Sequence, residues 1–365
     1  MKQRLNRKKI SFMILAGILL IIFPLIFNDF RLNMTGKYLT FSFVALGLVL
    51  CWGHTGILSL GQGIFFGLGG YFMAMFLKLE SSGASLPDFM DWNSLETLPW
   101  FWIPFHNKAF TILIIVVVPA GCAFLLGRAM FWKRVSGVYF SIVTMALVSI
   151  LSILIIGQQG YTGGINGITN FSTFGGWNLD TPQAKVSLYY VNAVLLLGAI
   201  ALSQYIIKSR FGKLLIAIRD KEDRVMFSGY NVPLFKAFIF AVAAFFSSVG
   251  GAMFTLQVGL ISPSFISVPA SIEMVIFATV GGRYSLMGAI YGTLLVSFAK
   301  SYLSESFPEL WTYFIGILFI GVIMLFPTGL AGMFEPVFRA IGIGEPKALE
   351  EDGNDESLST KRSQL

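Results

Sequence analysis

Charge is what this sequence has least of. Only 12% of its 365 residues are charged, against 55% hydrophobic, where a soluble domain carries about 25% charged residues. That shortage excludes a water-soluble globule of this length, because too little polar surface remains to coat it. A bilayer accounts for it, since lipid-facing surface must be apolar. Cysteine is nearly absent. Cys51 and Cys122 both lie inside apolar runs, which reads as buried packing rather than a disulfide or metal site. The two histidines, His54 and His106, are far apart and have no ligand-like neighbours, which argues against zinc. Catalytic signatures are also missing. Lys37 and Lys213 each follow a glycine, but neither completes GxxxxGK[ST], and no HExxH, CxxC or GxSxG occurs. The chain is therefore not read as an enzyme and carries no nucleotide-binding loop. Energy for any work it does comes from a partner, from an ion gradient, or not at all.

What is present is a series of long apolar runs. A net charge of +7 could suggest nucleic acid, but the basic residues sit in short clusters between those runs, as in the cytoplasmic loops of membrane proteins. Met1–Lys9 holds five basic residues and no acid, and Ile10–Phe27 follows as an apolar run of about spanning length. No small-x-small cleavage site follows Phe27, so a retained first helix is favoured over a signal peptide. The remaining runs are Tyr38–Trp52, Ile57–Leu77, Phe110–Met130, Ser136–Ile156, Val186–Ile207, Leu234–Gln257, Ala270–Gly282, Ser285–Tyr302 and Trp311–Phe326. The expected fold is an all-α, polytopic membrane helical bundle of about ten segments, eight at the fewest. With the N-terminus in the cytoplasm, alternate crossings put Lys133-Arg134, Lys208–Arg224 and the C-terminal tail inside. They put Glu80–Lys108, Gly157–Lys185 and Gly259–Pro269 outside. The two strongest internal basic clusters then fall on the cytoplasmic side. Residues 1–334 form the membrane domain, with a cytoplasmic loop at 208–232, and 335–365 form a polar tail expected to be disordered.

Two regions blur the count. Ala270–Tyr302 reads as one long span, a broken pair or a re-entrant hairpin, because Gly281-Gly282 interrupts it. Gly53, Gly56, Gly61, Gly63, Gly67, Gly69 and Gly70 crowd the early runs. Broken helices at membrane depth are tolerated only where the backbone is buried in protein or lines a cavity. Close packing is the competing reading, since Gly63/Gly67 and Gly288/Gly292 form GxxxG pairs. Ala243, Ser247 and Gly251, with Ala244, Ser248 and Ala252 beside them, give Leu234–Gln257 a small-residue face suited to tight packing. Gly56-Ile-Leu-Ser-Leu-Gly61 faintly echoes Gly282-Arg-Tyr-Ser-Leu-Met-Gly288, as in transporters with duplicated halves.

Polar residues in the apolar runs supply the candidate sites. Glu273 is costly in a membrane, so it is functional unless it lies at the interface. Gln62 can contact a polar solute or bond a neighbouring helix. Arg283 reads as a boundary residue. The loop Lys208–Val232 is longer than a simple connection requires. Leu214, Leu215, Ala217 and Ile218, then Val225 and Met226, suggest a short amphipathic helix, with Gly229 as its stop. It either docks a cytoplasmic partner or lies on the lipid surface.

Several stretches together resemble one family. Leu58-Ser-Leu-Gly-Gln-Gly-Ile-Phe-Phe-Gly67, Thr162-Gly-Gly-Ile-Asn-Gly-Ile-Thr169, Gly212-Lys-Leu-Leu-Ile-Ala-Ile-Arg219 through Gly229, and Ser271-Ile-Glu-Met-Val-Ile276 with Gly281-Gly282 resemble the LivM-like branched-chain amino acid permeases of ABC importers. Arg224-Val-Met-Phe227, Gly229-Tyr-Asn231, Gln257-Val-Gly259, Ser262-Pro-Ser264, Ala299-Lys-Ser301 and Phe307-Pro-Glu309 are similar to the urea-transporting branch. Tyr284 and Leu286 depart from that pattern, where a smaller pair is expected. The resemblance implies a permease subunit for urea or short amides, with branched-chain amino acids as the alternative solute. A secondary transporter or passive urea channel is the reading from a different class.

The implied partners are a second homologous permease, two cytoplasmic ATPase subunits, an extracytoplasmic solute-binding protein and membrane lipid, with no nucleic acid. No cofactor is bound by this chain; ATP and magnesium belong to the ATPases. Gly212, Lys213, Ala217, Arg219, Glu222 and Gly229 would couple to those ATPases. Ser59, Gln62, Gly63, Glu273, Gly281 and Gly282 would lie along the pathway. Gly163, Gly164 and Asn166 would meet the binding protein, and no metal site is expected. The location implied is a bacterial inner or plasma membrane.

Overall fold

The computed structural model describes residues 11–83, 85–171 and 173–307, with Tyr313, Phe314, Gly316, Ile317, Ile320, Gly321 and Met324 beyond them. Met1–Lys9, most of the Trp311–Phe326 run and the polar tail lie outside the described residues. Among the described residues, seven helices are long and apolar enough to cross a membrane. They are α2 (Asp29–Gly53), α3 (Gln62–Ser82), α5 (Lys108–Trp132), α6 (Val138–Gly157), α7 (Pro182–Lys208), α10 (Val232–Val258) and α12 (Leu286–Ser306). Two shorter apolar helices join them, α1 (Ser11–Ile26) and α11 (Val268–Gly281). Short α4 (Asp88–Trp92), α8 (Arg210–Asp220) and α9 (Glu222–Phe227) lie between spans.

Polar caps set many of the starts. Asn28, Asn107, Thr181, Ser209, Ser267 and Ser285 each accept a hydrogen bond from a backbone N–H in the first turn of the following helix, satisfying donors that have no intrahelical partner. The cap at Asn28 explains why α2 begins nine residues before the expected Tyr38. Its first turns carry polar side chains that an apolar-run reading leaves out.

Helix α10 is the hub. It packs on α5, α3 and α2, and its small residues admit their backbones. A methyl group at Gly251 would overlap the carbonyl oxygen of Phe66, and one at Gly69 would overlap that of Ser248. Gly47 lies against Ala243, and Gly250 against the Thr40 carbonyl. The inner helices are accordingly buried within the chain, 89% of α3's apolar window, against 22% for α5. Cys122 lies on the outer ring and is exposed, unlike Cys51. It is an exposed residue of α5 and not the buried one expected from its apolar surroundings.

The chain breaks twice inside the bundle. The first break runs from His54 to Gly61, so the Ile57–Leu77 run is helical only from Gln62. Its backbone is served by α6. Ser141 Oγ donates to the Leu58 carbonyl at 2.7 Å, and Leu60 N donates to Thr144 Oγ1 at 3.2 Å. The second break, Gly259–Ser267, was expected outside the membrane but folds back along α3. Ile266 sits against Gly67, and Phe265 makes tilted ring contacts with Phe66 and Phe254. This settles the short span. Fourteen residues of α11 reach only about 21 Å, and the irregular stretch covers the remaining depth. A turn at Gly282–Ser285 then leads into α12, making Ala270–Tyr302 a pair of helices.

The two breaks are related. α2, break and α3 run in the opposite sense to α10, break and α11, and the starts of α3 and α11 meet where Gly63 contacts Ser271. The structural counterpart of the first break is Gly259–Ser267. The echo at Gly282–Gly288 is a helix-ending turn, where Gly281 packs on Gly288 and Gly292.

Replacing Gly251 by valine is expected to destabilise the protein by about 2 kcal/mol or more through overpacking. The same change at Gly121, which has open space around it, should be nearly neutral. Thermal unfolding in detergent compares the two.

Candidate functional site

One end of the bundle gathers the segment 208–232. Gly212, Leu215 and Ile218 are the buried stripe of α8, while Lys213 and Ala217 face outward. Ala217 therefore does not belong to the apolar face as its periodicity suggests. Gly212 is fixed by crowding, since any Cβ there would overlap the carbonyls of Ile206 and Ile207. Gly229, at φ +85°, supplies the turn after α9 that a side chain would strain. Glu222 accepts a hydrogen bond from the buried Lys236 at 2.6 Å. Phe227 stands 90% exposed at the tip, with Tyr230 beside it.

Arg219 joins this segment to both inner turns. Its guanidinium donates to the Gly53 carbonyl at 2.7 Å and lies 5.3 Å from the Tyr284 ring centre. Arg283 stacks on the other neighbours, 4.7 Å from Tyr284 and 5.3 Å from Trp52. Gly53 has no room for a side chain, because the Arg283 carbonyl occupies that position. Tyr284, unexpected in the resemblance, is thus the ring shared by two arginines. A cavity of about 150 Å³ opens beside them, lined among others by Gly56, Ser136, Arg219, Glu222 and Lys236.

The pathway candidates fall into two groups. Gln62 and Ser59 are buried at the first break: Ser247 Oγ donates to Gln62 Oε1 at 2.8 Å, and Gly61 N donates to Ser59 Oγ at 3.2 Å. Gly63 completes this group at the junction with Ser271. Gly281 and Gly282 lie apart from it, beside the Arg219 junction, where Gly281 packs α11 on α12 and Gly282, at φ +110°, ends α11.

Glu273 stands in a third place. Both of its carboxylate oxygens accept hydrogen bonds from Lys300 Nζ at 2.8 Å, and Lys37 is its other charged neighbour. Sequence reasoning singled out Glu273 and missed the two lysines, which lay at the margin of one apolar run and inside another. A charge within a span was the signal that could have found Lys300.

The opposite end carries the insert Glu80–Lys108 and the segment 158–181. Glu80 accepts hydrogen bonds from Gly175 N and Gly176 N at 2.9 and 2.6 Å. Buried Lys78 donates to the carbonyls of Thr169 and Asn170 and pairs with Asp88 at 2.5 Å. Gly163 and Gly164 are buried turn residues with positive φ, whereas Asn166 is exposed. Partial burial works against ionisation of Asp88, but the hydrogen bonds and charge of Lys78 outweigh it and hold the carboxyl below its ordinary value.

A family profile described as "Branched-chain amino acid transport system / permease component" matches residues 30–323. The high-affinity branched-chain amino acid transport system permease protein LivM of Escherichia coli is 23% identical over 91% of this chain and 77% of its own. LivH of the same organism is 28% identical over 45% of this chain and 50% of its own. The ribose import permease protein RbsC of Haemophilus influenzae is 27% identical over 47% and 53%. No solved structure matches with significance.

Because the folded pKa of Asp88 is lowered, its contribution is present above the unfolded value near 3.9 and lost as pH falls through the folded one. Proteolysis of the insert should therefore be unchanged from about pH 5 to 8 and accelerate only in stronger acid. Asp88→Asn should make it faster throughout.

Proposed function

The chain belongs to the branched-chain amino acid transport permease family, and from that membership we propose that it is one permease subunit of an ATP-driven importer of branched-chain amino acids. The observation that carries the mechanism is Arg219, which ties the surface segment α8–α9 to the Gly53 carbonyl and the Tyr284 turn. Two ATPase subunits would grip α8–α9 through exposed Phe227 and Tyr230, since exposed aromatics are the residues that anchor interfaces. Their closure would pull Arg219 and move both inner turns together. ATP drives this only by binding one conformation better than the other.

A second permease would face the first across the pathway, and a solute-binding protein would deliver to the end that carries Asn166 and Glu80–Lys108. The end with Lys133, Arg134 and α8–α9 would be cytoplasmic, because basic loops are retained there. The relatives described above are named for branched-chain amino acids or ribose, so the amino-acid reading replaces the expected urea or short amide.

The test is leucine uptake in vesicles reconstituted with both permeases, the ATPases and the binding protein. Uptake should require ATP, and uptake by this chain alone would sink the proposal. Arg219→Ala should lower ATP-driven uptake at least about tenfold, the loss of one charged hydrogen bond, with the complex still assembled. Phe227→Ala should release the ATPases on co-purification by about thirtyfold weaker binding, as for an interface anchor.

A further inference from the structure

Charged residues of the spanning helices lie almost wholly within about one turn of a helix end. Three do not: Lys37 on α2, Glu273 on α11 and Lys300 on α12. They come together. Lys300 Nζ bridges both oxygens of Glu273, and Lys37 has these two as its charged neighbours. That pair cancels itself. No hydrogen bond or salt bridge to the Lys37 ammonium occurs among the described residues, where Glu273 and Lys300 are its charged neighbours.

Such a charge within a span is costly unless an anion or water meets it. The face is built for contact. Lys37, Glu273 and Lys300 are all half-exposed, as are Met34 and Ala270, one turn away along α2 and α11. Lys37 lies about 12 Å along α2 from its first residue, well inside the spanning helix. One turn further along, Phe41 stacks on Phe66 at 5.4 Å and meets Phe277 in a tilted contact at 5.6 Å. An aromatic cluster thus lies one helical turn from Lys37 along α2 and one turn from Glu273 along α11.

We propose that Lys37, beside the Glu273–Lys300 pair, is a carboxylate-binding group of the translocation pathway, with the aromatic cluster receiving the solute's branched side chain. The proposal rests on the importer reading and narrows its solute to one bearing a carboxylate. A neutral amide would leave Lys37 unmatched.

The test uses the assembled importer in vesicles, with Met34→Cys or Ala270→Cys as two independent reporters and both native cysteines replaced by alanine. Methanethiosulfonates of opposite charge report the local potential. The sulfonate reagent should label about tenfold faster or more than the trimethylammonium reagent. Lys37→Met should abolish that preference and Lys37→Arg should keep it. Isovalerate should slow labelling, and its neutral amide isovaleramide should not. The site is overturned by absence of labelling at both positions, by equal rates for the two reagents (a carboxylate from the second permease would cause this), by a preference that survives Lys37→Met, or by equal protection from acid and amide. Protection by added anionic lipid alone would assign Lys37 to a phosphate headgroup and also overturn it. Anionic preference without leucine uptake removes the importer reading and leaves the site; uptake without preference removes the site alone.

Discussion

Backbone polar groups have no water to turn to inside a bilayer, so every N–H and C=O there must be satisfied within the protein. The fold depends on how this chain meets that constraint at its two irregular stretches. Ser141 and Thr144 of α6 serve the first, at Leu58 and Leu60. The second is held at its outer end by the reciprocal bridge between Ile168 and Ile261. Because both are served internally, α3 and α11 can begin within the bundle and meet at Gly63 and Ser271. Close approach is the other requirement, and the small residues of α10 meet it. Without them the broken segments would sit away from the helices that satisfy them.

The same arrangement links the ends of the molecule to its middle. Gly53 ends α2, and its carbonyl is the acceptor for Arg219, a residue of the surface helix α8. Tyr284 takes the flat faces of Arg219 and Arg283 and so joins the α11–α12 turn to the same point. A displacement of α8 therefore reaches both helix pairs through one side chain. At the other end, Lys78 and Glu80 extend from α3 to hold the outer segments by their backbone groups. The helix that starts at the first break thus also anchors the segments at the opposite end of the bundle.

Much of this was legible in the sequence. Apolar runs marked the seven spans and the two shorter apolar helices found among the described residues, the glycine crowding marked the first break, and Ala243, Ser247 and Gly251 marked the hub. The segment 208–232 was recognisable as structured from its length and pattern. Its facing was less so: Ala217 points outward because the stripe Gly212, Leu215, Ile218 packs against the neighbouring helices. The second break was read as an external loop because Ser262, Pro263 and Ser264 carry loop chemistry, and nothing local reveals that glycines of α3 leave it a groove.

Composition and hydropathy by themselves determined a membrane bundle and its helices, because those follow from transfer of side chains between water and lipid. Only the tertiary structure decided which charges meet. Lys37 is separated from Glu273 and Lys300 by most of the chain, and no spacing rule connects the three. They share one face because α2, α11 and α12 are packed side by side, and that packing is set by where the two breaks let the helices begin.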